Sequence, residues 1–333
     1  MSASFCPGNI LGDVFQWGRE LEGRKTFEVD LTCGKIIEIE GSVEETIRPY
    51  YEHIGQDTPG STYSLSGLGL DGKKVVFGFM FEKQWKYITF DFSGFYYNPT
   101  ADTTAPADFY IGLANPIEYQ GKKYDNMMIP EGRAFTADMK TMFFEINMLV
   151  TPTTITPVKN VEFIPSIYLG LVGLFGTYNL DAGDPTGTVV YEYPPEEFVV
   201  GGRTDGWAGA GVPAIGLEGE LRIGPPDGLR FVLRGGYSFL RYRGSTEYIP
   251  INIRREKDLS LNYDNYGCRA QLEFPVSPTL DLVAGINYQH INLSADATAE
   301  DQPPEVIEEL REKYDKKILF ELHELQGIVG VRF

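Results

Sequence analysis

Cysteine and histidine are both scarce: three of each in 333 residues. Cys6, Cys33 and Cys268 are too few for a disulfide framework, and none sits in a Cys-x-x-Cys spacing. That excludes a disulfide-stapled scaffold and argues against a Cys/His zinc site. Basic residues are also short, with 29 Lys and Arg against 47 Asp and Glu, a net charge of −18. Such a chain repels phosphate backbones, so nucleic acid is not an expected partner. No stretch reaches the roughly 18 consecutive apolar residues of a membrane-spanning helix. The best apolar run, Phe163 to Gly176, is interrupted by Pro165 and several glycines. There is no Walker loop, Gly-x-Ser-x-Gly or His-Glu-x-x-His, so neither a cofactor nor an enzymatic activity is expected. The opening Met1 to Pro7 lacks a basic segment followed by an apolar one. This leaves an intracellular chain or a processed form open. Phe5 before Cys6 is too bulky for the small residue that precedes a lipid-anchored cysteine.

Glycine (37), tyrosine (20) and phenylalanine (21) are plentiful, a composition that favours strands. Period-two alternation carries the reading. Phe27, Val29, Leu31, Cys33, Ile37 and Ile39 share one parity, and Glu28, Asp30, Thr32, Glu38 and Glu40 take the other. The pattern recurs near 64–81, 85–97, 135–150, 161–178, 207–223, 229–243, 259–274, 279–293 and 317–333, giving ten strands. Asp71-Gly72 is read as a kink within one long strand, because a hairpin there breaks the order of the connections. Those connections alternate: short ones at 82–84, 151–160, 224–228 and 275–278, long ones at about 42–63, 98–134, 179–206, 244–258 and 294–316. In an up-and-down antiparallel sheet all the short turns then lie at one end. Pro304 to Lys313 is read as a short helix in the last long connection.

Periodicity alone does not say which face points in. Three features favour apolar residues outside and charges inside, as in a membrane barrel. The polar face mixes small residues with charges of both signs, Glu218, Glu220, Arg222, Arg230, Arg234, Arg269, Glu273 and Arg332, which suit a narrow lumen as a paired network. Apolar stretches next to the short turns are about 9–11 residues long, the length of a tilted membrane strand. Trp85, Phe163, Phe274 and Phe333 lie near the short turns, and Tyr96, Tyr237, Phe239 and Tyr288 one membrane height further on, as two aromatic girdles.

The chain ends Leu325-Gln-Gly-Ile-Val-Gly-Val-Arg-Phe333. A terminal Phe behind alternating apolar residues is similar to the assembly signal of Gram-negative outer-membrane β-barrel proteins, with Ile328 where a glycine is usual. The resemblance covers roughly residues 25–333. It implies an all-β, ten-stranded, antiparallel up-and-down transmembrane β-barrel with short periplasmic turns and long extracellular loops. Residues 1–24 become an N-terminal periplasmic or plug segment and 25–333 the barrel. It further implies outer-membrane lipid, lipopolysaccharide and the barrel-assembly machinery as partners, the last through Phe333.

The strand count resembles the omptin proteases, but no Asp-x-His occurs. His53 follows Glu52 in a loop, and His323 sits among Glu321, Leu322 and Glu324. His290 and Ser294 faintly resemble the His and Ser of lipid A deacylases, with Asn292 where that pattern has Ser; the bland reading of His290 is a girdle residue. Asp181 and Asp184 can chelate calcium through oxygen, but the loop lacks the spacing of an EF-hand and reads more simply as a solvated turn. The acidic face of Glu28, Asp30, Glu38 and Glu40 either binds cations in a pore or pairs with interior arginines, and pairing is the better default. Four readings of function stay open: a structural or ligand-facing surface barrel with a filled lumen, a narrow porin-like channel, an outer-membrane hydrolase, and a soluble ligand-binding barrel.

Overall fold

A computed structural model describes residues 25–49, 61–72, 75–85, 87–192, 195–225, 227–248, 254–302 and 312–333. Among these there is no α-helix. The ring strands are β1 (Phe27–Pro49), β3 (Val75–Gln84), β4 (Ile88–Tyr97), β8 (Ala134–Val150), β10 (Val161–Asp181), β13 (Arg203–Ile223), β14 (Arg230–Tyr248), β15 (Arg254–Ser277), β16 (Leu280–Gln302) and β17 (Glu312–Arg332). They hydrogen-bond in the order β8-β4-β3-β1-β17-β16-β15-β14-β13-β10, and β10 returns to β8. All ten pairings are antiparallel. Closure leaves the ring without a free edge.

The ring closes on the chain ends. Phe27 N–H donates to the Phe333 carbonyl at 2.9 Å, and Phe333 N–H donates to that of Phe27 at 2.7 Å. The segment 61–84 is not a hairpin. A short strand β2 (Ser61–Ser64) pairs with Ser42–Glu45 of β1, and β3 pairs with Phe27–Lys35 along the same edge. β2 and β3 are thus collinear, separated by a turn at 65–69.

Polarity is that of a membrane barrel. Leu217 is 69% exposed and Leu282 48%, and Val331 shares their face through its pairing with Leu282 and Val29. Arg234 and Glu220 on the opposite parity are buried.

Four differences from the sequence reading have physical causes. First, a β-bulge at Ile36/Glu38 inserts one residue into β1. Beyond it Ile39 turns inward and is buried, while Glu38 and Glu40 become exposed. The acidic face of β1 is therefore two faces, with only Glu28 and Asp30 inside. Second, the connections at 244–258 and 294–316 are largely strand. β15 has 24 residues and β16 has 23, far more than a bilayer needs. Third, the helix expected at Pro304 to Lys313 falls outside the described residues except for its last two, which open β17.

Fourth, the connections 98–133 and 182–202 are folded. β5 (Thr100–Thr104) adds to β8. β6 (Phe109–Tyr119), β7 (Lys122–Ile129), β11 (Gly187–Glu192) and β12 (Pro195–Val200) form a second sheet in the order β11-β12-β7-β6. Gln120 and Gly121 both have positive φ (52° and 81°), the two-residue turn that matches strand twist. The two connections join through a parallel pair, Val199 with Met127 and Val200 with Met128. Met127, Ile129 and Val199 are completely buried in a core with Ile111, Phe135 and Leu180. β9 (Ile155–Val158) decorates the short-turn end.

Candidate functional site: the lumen and the outer rim

Counted from the short turns, the inward residues of the ring form two storeys. The lower is charged. Glu220 lies opposite Arg234 in the β13–β14 register, Arg230 opposite Glu273 in β14–β15, and Glu28 opposite Arg332 in β1–β17. Arg234 is the hub. It contacts Glu82 and Glu220 at 2.6 Å each and Glu218 at 3.2 Å. Arg222 also pairs with Glu220. Arg332 pairs with both Glu28 and Glu273, and Arg230 reaches Glu273 at 3.6 Å. Gln271 donates to Glu28 at 2.9 Å.

Several of these contacts cross the lumen. β14 and β3 stand on opposite sides of the ring, yet Arg234 Nη1 touches Glu82 Oε2. Arg269 on β15 lies 3.9 Å from Asp91 on β4, and Gln289 on β16 donates to Glu145 on β8. Side chains from opposite walls thus meet in the middle.

The upper storey is apolar. Ile36, Ile39, Val76, Phe95, Phe143 and Leu322 are buried together. Phe143 stacks on Phe95 at 4.7 Å and on Phe320, from across the ring, at 5.4 Å. A cavity of about 120 Å³ lies where the storeys meet, lined by Asp91, Glu145, Asn147, Tyr168 and Glu324 among others.

All the network residues singled out in the sequence lie inward. Glu218, Glu220, Arg222, Arg230, Arg234, Glu273 and Arg332 join one network, while Arg269 pairs with Asp91 instead of a neighbouring-strand glutamate. Sequence reasoning omitted Glu82, Asp91 and Glu145 from the network. Glu82 falls in the short connection expected at 82–84, whereas β3 runs on to Gln84; parity placed Asp91 and Glu145 on the polar face, but a contact across the lumen leaves no local signature.

His290 and Ser294 are not brought together. Four residues along one strand separate them by about 13 Å, and Ser294 contacts Asn262 at 3.4 Å. His290 partners Glu321 instead, at 2.9 Å. His53 lies outside the described residues. Asp181 accepts from Gly183 N–H and pairs with Arg203, and Arg133 donates to the carbonyls of Ala182 and Asp184. Arginines thus occupy the Asp181–Asp184 turn: Arg203 takes the Asp181 carboxylate and Arg133 the turn carbonyls. On the second sheet Glu197 pairs with Lys122 and holds its ammonium above the ordinary lysine pKa.

The features that define the resemblance to Gram-negative outer-membrane β-barrel proteins are all in place: a closed antiparallel ring, apolar residues outside, charges within. No protein-family model matches the chain, and no curated protein matches it. Among solved structures it is similar to the outer membrane protease OmpT of Escherichia coli, at 11% identity over 92% of this chain and 96% of that one, with a TM-score of 0.41. It is also similar to the transport unit of the autotransporter AIDA-I of Escherichia coli, at 7% identity over 98% and 96%, TM-score 0.33. A Pseudomonas aeruginosa FadL homologue follows at 8% identity over 92% and 90%, TM-score 0.23.

Proposed function

We propose that this chain is a ten-stranded outer-membrane barrel of a Gram-negative bacterium with a closed lumen, whose working surface is the folded sheet on the long-connection side. The observation that carries this reading is the diametric Arg234–Glu82 contact, with Arg269–Asp91 and Gln289–Glu145 beside it. Paired charges in a narrow lumen hold one another and exclude water. An apolar storey above them adds a second obstruction. A channel for solutes gains nothing from such a filling, whereas a rigid platform does.

On this reading the short turns face the periplasm, and the β6-β7-β11-β12 sheet stands outside the cell. Outer-membrane lipid and lipopolysaccharide contact the apolar belt, and the assembly machinery reads the end of β17 at Phe333. The sheet is then a structural or ligand-facing surface, held by a buried core that it shares with the ends of β8 and β10.

Planar-bilayer recording of the purified, refolded chain tests the closed lumen. The expected result is insertion without stepwise conductance. Regular porin-like steps would overturn the reading in favour of a channel. Protease treatment of intact cells tests the orientation: cleavage should fall within 98–202 and spare the turns at 85–87 and 278–279.

A further inference from the structure

We propose that His290, Glu321 and His323 form a binding site for one first-row divalent transition-metal ion on the outer face of β16 and β17. His290 and His323 stand directly opposite each other in the β16–β17 register. Ile291 and Leu322 on the next rung are buried and point inward, so both imidazoles and Glu321 point outward. The rings stack at 3.9 Å between centroids. Both Nε2 atoms converge on one oxygen: Glu321 Oε1 lies 2.9 Å from that of His290 and 3.0 Å from that of His323. The ligand atoms of all three residues lie within 4.8 Å of one another.

This spacing is that of a coordination shell. Ligand atoms about 2.0–2.1 Å from an ion stand about 2.9 Å apart at a right angle and about 3.4 Å apart at the tetrahedral angle. The donor set selects the class of ion. Two imidazoles and a carboxylate suit zinc and its neighbours, whereas calcium and magnesium take oxygen ligands. Three protein ligands leave a further position for water or an exogenous group.

The surroundings support the same assignment. Tyr288 Oη lies 3.0 Å from Nδ1 of His323. If that nitrogen carries the proton, Nε2 presents its lone pair toward Glu321, the outer-sphere arrangement that orients ligating histidines. Tyr266 packs edge-on against His290 at 4.5 Å and walls the site. Nε2 is the nitrogen of His290 that faces Glu321. The site lies about ten residues along β16 from Leu280, at the upper rim of an apolar band about 25 Å tall, where water reaches it.

The test is zinc titration by calorimetry on the refolded, untagged full-length chain in detergent. The wild type should bind one equivalent of Zn²⁺. His290→Ala and His323→Ala should each weaken binding roughly tenfold or more, with Glu321→Gln weakening it as well. His53→Ala, which removes the remaining histidine of the chain, should leave binding unchanged. Saturable one-site binding that survives His290→Ala/His323→Ala, that is lost in His53→Ala, or that never appears in the wild type overturns the proposal. A second measurement needs no variant: Cu²⁺ bound to the wild type should show superhyperfine coupling to two equivalent imidazole nitrogens. Coupling to one nitrogen or none also overturns it. Neither readout depends on the lumen being closed or on the barrel's orientation.

Discussion

Arg234 decides the stability of the interior. It faces Glu82, Glu218 and Glu220 and is itself buried. Replacing it with methionine keeps most of its volume but leaves the buried Glu82 and Glu220 and the half-buried Glu218 short of their cation. Removing one partner of a buried ion pair costs about 3–5 kcal/mol. Arg234→Met should therefore lower the urea midpoint of the refolded barrel by a corresponding amount. Adding Glu82→Gln and Glu220→Gln to it should restore much of the loss, because the orphaned charges are then gone. Arg241 is the contrast. It pairs with Asp264 at 2.7 Å, but Arg241 is exposed and Asp264 partly so, and Arg241→Ala should cost no more than about 1 kcal/mol. If the two substitutions shift the midpoint equally, the lumen is wet and the charged network contributes little. The neighbouring-strand part of this network was legible in the sequence, because alternation fixes which side chains share a face. Glu82 and Asp91 were not, since nothing local says what stands across a ring.

Among the elements, β1 shows how one residue redirects a strand. The bulge beside Ile37 turns Ile39 in and Glu40 out. With Cys6, Cys33 and Cys268 replaced by serine, Glu38→Cys and Glu40→Cys should react quickly with a water-soluble maleimide, while Ile39→Cys should stay protected until the barrel unfolds. Protection of position 40 and labelling of position 39 would mean that β1 runs without a bulge. The signal was present as the adjacent Ile36 and Ile37, one apolar residue too many for strict alternation. It was outweighed by the regular pattern on either side. The second sheet was harder to foresee. Tyr124, Met127, Met128 and Ile129 follow no clean period, and β7 finds its parallel partner β12 about seventy residues further on. Arg133 ties the sheet to the barrel rim, donating to Ala182 and Asp184 carbonyls at 2.9 Å each and to Thr186 Oγ1 at 3.0 Å. Each such bond contributes about 1 kcal/mol. Arg133→Ala should open the 182–186 turn to limited proteolysis while the heat-modifiable gel mobility of the ring stays intact.

For the whole molecule the governing fact is closure, and Phe333 is where it happens. Ten strands return to their start because β1 and β17 pair along their full lengths, and both were legible as alternating segments ending at opposite termini. What the terminal residue adds locally is small. Its N–H and carbonyl complete two bonds with Phe27, its carbonyl also accepts from Thr26 N–H at 3.1 Å, and its ring packs on that of Phe27 at 4.7 Å. The ring itself is half exposed, at the level of the short turns with Phe274. Deleting Phe333 removes the last rung of a ladder more than twenty rungs long, a loss of about 1–3 kcal/mol from two or three hydrogen bonds and one aromatic contact. A chain lacking it should therefore still refold in detergent and show the slow gel mobility change of an intact barrel on heating. Delivery in the cell is a different demand: under the proposed function, the assembly machinery reads Phe333 before the ring shuts. The expected outcome is a near-normal refolding yield in vitro with a several-fold drop in folded barrel in the outer-membrane fraction. Equal losses in both settings would show that Phe333 acts through closure alone.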